Sequence, residues 1–462
     1  MSGCPFHSGE GDRESADENA GRRLRDSRTI DRRTFVRTAL AIGGTSALAA
    51  LSGCTGDAFG RGDGLGDVDV PQGPSDPSAF PERQHAWDDD LKRDPFGNVV
   101  LPNHQLLLFL DYRGSGGPTA SERETVETSF RTLERAFQRL TGGDSSADND
   151  GLVFMAGYTP TYFARFDADL PASVDLQSPE AVLQKTDDDV DKADSFDALI
   201  LLSSDTVPVL LAAEEALFGG IDTVNGIEVE TTLDGVFRKT ERRTAFVGPG
   251  MPRDRLENEE IHEDAPLSMG YKSGFSENLA TEDRVTITEG PFAEGTTMQV
   301  SKLRLDLGEW YENDRETRDE LMFSHAHSRE DIGDVGEGLK HDSQLTEEIV
   351  DEMESRAKAH GRVGHSAKTA QARDDEFKPL ILRRSEGIND AFHEDGRVDF
   401  NFTALMEGIE DFVETRRAMD SSHLDEYIDE GGHGIVSYME VTNRATVLVP
   451  PRSKRALPTP NP

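Results

Sequence analysis

The sequence predicts an α+β protein built from two copies of a β-α-β-β-α-β unit. Three observations predict it: apolar runs of strand length, longer segments with the 3.6-residue period of an amphipathic helix, and the same order of elements in both halves. The 462 residues suffice for two such domains with a core in each.

"HQLLLFLDY" (104–112) is a continuous apolar run and reads as the first strand. Behind it Thr119 and Glu122 have capping-box spacing, and Val126, Phe130, Leu133, Phe137 and Leu140 follow at helical steps of three and four. "LVFMAGY" (152–158) and "DALILLS" (197–203) read as the next strands, "TVPVLLAAEEALF" (206–218) as a helix, and a fourth strand is expected near residues 226–232. In the second half "TMQVSKLRLDL" (297–307) is a strand, 309–323 a helix, "PLILRR" (379–384) and "VDFNFTAL" (398–405) strands, 406–419 a helix and "HGIVSYMEV" (433–441) the closing strand. Two split β-α-β units in tandem imply two ferredoxin-like domains side by side, over 101–250 and 251–450, followed by a tail at 451–462. An acidic insertion at about 328–362 reads as a solvated excursion.

The net charge of −40 argues against nucleic acid, whose phosphates such a surface repels. An acidic surface of this kind suits a halophilic habitat, where concentrated salt screens the repulsion within a few ångströms. Both cysteines, Cys4 and Cys54, precede the expected folded body, which leaves that body without a disulfide or a thiolate metal site.

The leader "DRRTFVRTALAIGGTSALAALSGC" sets Arg32 and Arg33 before an apolar run from Ala39 to Leu51, closed by Leu51-Ser52-Gly53-Cys54. The run is too short for a lasting membrane span and reads as a twin-arginine export signal ending in a lipobox, residues 1–54. The expectation is a protein carried out of the cell and held on the outer face of the membrane by lipid at Cys54. Residues 55–100, rich in Gly, Asp and Pro, read as a flexible tether.

Three features carry chemistry: the turn "MGYKSGFSEN" (269–278) with Gly270 and Gly274 four apart, His365 in "VGHSAKTAQAR", and the pair Arg383-Arg384 in "LILRRSEG". Taken with the duplicated unit, they resemble the dye-decolourising peroxidases, and within them the exported deferrochelatase branch. That family carries a GxxDG turn, a histidine ligand in a loop, and an arginine at a strand end 18 residues later, the separation of His365 and Arg383 here. The resemblance implies a dimeric α/β-barrel-type architecture, haem b as cofactor, and hydrogen peroxide with a small organic reductant as substrates, or the handling of haem iron. A homo-oligomer is compatible with it.

In residue terms the resemblance makes His365 the haem-iron ligand, Gly270 and Gly274 the turn against the porphyrin, and Arg383, followed by Arg384, the charge-stabilising group. In "LDEYIDEGGHG" (424–434), Glu426 falls where a carboxylate would hold the histidine's other nitrogen. Ser273 stands where the family's turn has its aspartate, and a hydroxyl does not shuttle protons as a carboxylate does. Glu277 is the nearest carboxylate in sequence that could substitute. The departure weakens the expected acid–base catalysis and keeps open a second reading, a non-catalytic haem-binding or haem-free lipoprotein. Separately, His325 and His327 in "FSHAHSRE" would share a face if that segment were a strand and could bind copper or nickel. A solvated loop is the plainer reading.

Overall fold

The computed structural model describes residues 65, 68–139, 149–246, 251–266, 269–393 and 395–462, all in one compact unit. The arginine pair, the apolar run, Cys54 and Leu140 lie outside the described residues. Among the described residues no helix is long and apolar enough to cross a membrane.

Eight antiparallel strands close into a barrel. They are β1 His104–Tyr112, β2 Val153–Tyr158, β3 Ala198–Ser204, β4 Phe237–Phe246, β5 Thr296–Asp306, β6 Leu382–Phe392, β7 Arg397–Met406 and β8 Met439–Val449. Around the barrel their order is β1-β3-β2-β8-β5-β7-β6-β4. The first four strands therefore lie in the order 4-1-3-2, and so do the last four. Each half runs strand, helical segment, strand, strand, helix, strand, with α1 Ala120–Ala136 and α2 Val207–Phe218 in the first half. The halves meet at two seams, Tyr158 opposite Leu448 and Phe246 opposite Ile388, so they share one barrel and one interior.

Side-chain alternation sets the layers. Leu107, Phe109, Met155, Leu199, Leu201, Met298, Val300, Leu405 and Val447 point inward and fill the barrel. The outward residues of the first half, among them Leu106, Leu108, Phe154, Ile200 and Leu202, are sealed by Val126, Phe130 and Leu133 of α1 and by Val209 and Leu217 of α2. Helix α1 starts with the full capping box between Thr119 and Glu122.

The second half is covered differently. The stretch between β5 and β6 is broken into short helices, including α3 Arg315–Met322, α4 Met353–His360 and α5 His365–Thr369, and α6 Ile409–Asp420 comes from the following crossover. Among the described residues the second half has no helix as long as α1, and the 12-residue α6 packs on β7 through Ile409, Phe412 and Val413 against Ala404 and Met406.

Several expectations are corrected. The fourth strand is Phe237–Phe246, while Thr223–Val224 and Ile227–Glu228 pair as a small separate ribbon. The closing strand is Met439–Val449, displaced from 433–441, because 434–438 is a 3-10 turn and the later run "ATVLV" supplies the buried residues. The helix over 309–323 is two, Leu307–Glu312 and α3. The acidic insertion is packed: Leu345, Met353, Ala357 and Val363 form a cluster with Ala367 and Leu424.

The tether expected over 55–100 does not hold for its latter part. Trp87 and Leu91 are fully buried in the barrel-interior cluster, with the Trp87 indole N–H donating to the Gln84 carbonyl at 2.7 Å. The tail is also seated, with Arg452 and Arg455 ion-paired to the buried Glu134.

Candidate functional site

Between α6 and the short helices of the second half, a cavity of about 210 Å³ opens over the outer face of the sheet. Leu303 and Leu305 of β5 and Phe400 and Phe402 of β7 form its floor. Met322 and Phe323 at the end of α3, Phe412 and Met419 of α6, and Tyr271 and Phe275 complete an apolar wall.

The polar groups set into this wall are unusual for so acidic a chain. Lys272, Arg373, Arg383, Arg416 and Arg444 all line the cavity, and among its described lining residues none is an aspartate or glutamate. Two of these cations are answered from behind: Arg444 lies 2.7 Å from Asp188, and Arg416 pairs with Asp420. Arg373 instead stacks over Phe377 and donates to that residue's carbonyl at 3.0 Å. The field inside favours an anion, and the surrounding rings and aliphatic groups favour an apolar body.

His365 opens α5 and faces the cavity. The loop before it is tight. Gly364 packs so closely on the Phe323 backbone that a Cβ there would come 1.9 Å from the carbonyl oxygen. No hydrogen-bond partner reaches the buried Nδ1 of His365. Burial, with the nearby Arg383 and Lys368 charges, pushes its pKa down to about 3, so the ring is neutral at ordinary pH and keeps a lone pair for a metal or a donor. Lys368, one turn on, is fully buried, donates to the His433 carbonyl at 2.9 Å, and is pushed down to about 8 by burial.

The turn at 269–274 closes one side. Gly270 and Gly274 both have φ of +84°, the left-handed region that glycine occupies without strain. Between them the Tyr271 ring packs edge-on against Phe323 and lies under Arg315 at 4.8 Å, while its hydroxyl bonds Asp319. Lys272 and Ser273 are exposed and line the cavity.

The structure thus brings together His365, Arg383, Ser273 and the Gly270–Gly274 turn, and it leaves three sequence-expected residues elsewhere. Arg384 is 1% exposed and faces away, 2.9 Å from Asp88, paired with Glu282 and stacked on Trp87. The ladder shifts register between Arg383 and Ser385, and the two arginines end on opposite faces, so they do not both serve the cavity. Glu277 is exposed and 3.7 Å from Lys378. Glu426 is exposed and hydrogen-bonded to the Tyr427 hydroxyl, not to the His365 ring. Sequence reasoning missed Arg373, Arg416 and Arg444, which come from three different segments and carry no shared motif.

His325 and His327 also part company. His327 bonds Ser324 at 2.8 Å and the Ser343 carbonyl at 2.6 Å, while His325 stacks against His360.

This is a mixed α+β protein with a large antiparallel sheet, and solved structures of similar fold are dye-decolourising peroxidases. They include a dye-decolorizing protein from V. cholerae, 12% identical with a TM-score of 0.48, over 80% of this chain and 98% of that one. A dye-decolorizing peroxidase from Bacteroides thetaiotaomicron VPI-5482 is 13% identical with a TM-score of 0.47, over 80% and 98%. DyPB from Rhodococcus jostii RHA1 is 12% identical with a TM-score of 0.47, over 78% and 96%. No curated protein matches the chain. By sequence the chain belongs to the family of unknown function DUF7405, whose model matches residues 102–451.

Proposed function

We propose that the cavity binds haem b, with His365 as the iron ligand. The carrying observation is a buried, neutral histidine facing an apolar cavity edged by cations and free, among its described lining, of carboxylates. The donor set fits the group: an imidazole lone pair for iron, aromatic and aliphatic side chains for a flat apolar ring, and guanidinium groups for its two carboxylates. The two halves are read as duplicated ferredoxin-like units fused into one barrel.

Bound there, haem would supply a redox-active iron able to react with hydrogen peroxide. The residues around it would do the rest. Arg383 and Arg373 present fixed positive charge to carboxylates or to a departing oxygen. Phe400, Phe402, Leu303 and Phe412 exclude water. Ser273 donates or accepts a hydrogen bond but is no reservoir for a proton.

Two carboxylates that would favour turnover are missing from this set. None sits at Ser273, and none holds the His365 Nδ1, so the imidazole lacks the partner that raises its electron donation. The reading is therefore a haem protein with weak peroxidase activity towards organic reductants. The same two absences favour a second reading, a haem-binding protein without turnover. The leader supports export by the twin-arginine route and anchoring at Cys54.

Reconstitution with hemin tests the proposal. A Soret band should form at one haem per chain and should be lost or shifted in His365→Ala. A chain that stays colourless with excess hemin, or binds it equally well without His365, overturns it.

A further inference from the structure

A second cluster lies behind the cavity wall. Glu320 of α3, His325 in the loop that follows and His360 at the end of α4 bring one carboxylate oxygen and two imidazole nitrogens within 4.8 Å of one another. The His325 side chain is 6% exposed, and its Nε2 lies 3.4 Å from a Glu320 oxygen. That nitrogen is buried and has no hydrogen-bond partner, a costly state for a polar atom. The His325 and His360 ring centroids are 3.9 Å apart, so the second imidazole stands over the first.

We propose that Glu320, His325 and His360 form a binding site for a divalent transition ion of the zinc class. Two imidazoles and one carboxylate are a donor set such ions take, with a further position left for water. A four-coordinate ion with ligands at about 2.0–2.1 Å sets the donor atoms about 3.3 Å apart. The His325 and Glu320 atoms already stand at that spacing, and His360, which is exposed, is free to rotate in. Burial pushes the His325 pKa down to about 4, which leaves its ring neutral and able to ligate. Arg362 lies 3.2 Å from the same Glu320 oxygen, so its guanidinium must swing aside for the ion to enter. His360 lies five residues before His365, so an ion here ties the chain entering the cavity wall to α3. The site does not depend on whether haem binds.

The test uses the untagged chain, stripped with a chelator and titrated with Zn²⁺ by calorimetry, with Co²⁺ as a visible-absorption probe. One Zn²⁺ per chain should bind, with the Co²⁺ bands of a tetrahedral or five-coordinate site. His360→Ala and His325→Ala should each lose this equivalent, and His327→Ala should keep it. His360 is exposed, so its variant should fold even if that of His325 does not. No Zn²⁺ uptake by the wild type, or unchanged uptake in His360→Ala, overturns the proposal.

Discussion

Arg383 and Arg384 are neighbours in one strand and serve opposite faces of the barrel wall. Arg383 lines the cavity, and Arg384 is 1% exposed between Asp88, Glu282 and Trp87. Removing one partner of a buried ion pair costs about 3–5 kcal/mol, because the other charge stays buried. Arg384→Ala should lose stability on that scale in a urea melt. Arg383→Ala should weaken hemin binding about tenfold or more, the scale of one charge-assisted hydrogen bond. Unchanged hemin binding in Arg383→Ala would contradict the assignment of faces.

Ser273→Asp should raise peroxide-dependent oxidation of a dye. General acid–base assistance is typically worth about 10²- to 10⁴-fold, and Ser273 lines the cavity proposed to hold haem. Initial rates at fixed haem loading provide the measurement. An unchanged rate would place the deficit on the histidine side, where Nδ1 lacks a partner.

The two turn glycines should respond unequally to alanine. Both sit at φ of +84°, which costs an alanine about 1–2 kcal/mol. At Gly270 a Cβ would also come 2.4 Å from the Tyr311 hydroxyl, whereas at Gly274 the nearest atom is the Val99 oxygen at 4.0 Å. Gly270→Ala should therefore lower the melting temperature more than Gly274→Ala, by differential scanning calorimetry. The reverse order would mean the turn is held differently.

Acid should destabilise the fold partly through His85. Burial pushes its pKa down to about 3 from the ordinary 6.5, helped by the Arg384 and Arg83 charges. Between those values the unfolded chain binds a proton that the folded chain refuses, so stability falls as pH drops from about 6.5 towards 3. One such group contributes about 1.4 kcal/mol per pH unit. Denaturant midpoints at several pH values should show a shallower slope in His85→Gln, and an unchanged slope would exclude His85 as the source.

What could be read from the sequence follows from how each segment is solvated. Strand β1 and helix α1 are apolar on the faces that matter, so periodicity marks them directly. Strand β4, "FRKTERRTAF", carries five charged residues and is largely exposed along its middle, so no hydrophobic pattern announces it; its pairing with β1 makes it a strand. The site divides in the same way. His365, Arg383 and the glycine turn were legible through spacing and resemblance. Arg384 and Glu426 were misplaced because spacing along a chain does not say which face a side chain takes. That the described lining holds cations and no carboxylate could not be read at all, since Lys272, Arg373, Arg383, Arg416 and Arg444 share no motif or period.

The seating of Trp87 beside Arg384 has a consequence for the order in which the molecule is made. The His85 carbonyl accepts a hydrogen bond from Arg384 across 299 residues of chain. The segment around Trp87 emerges early in synthesis, and its contact with Arg384 must wait until strand β6 exists. Contacts that span so much chain close slowly. The barrel should therefore finish folding after translation, with docking of the segment around Trp87 among its last steps, and a chain truncated before β6 should leave Trp87 exposed to solvent.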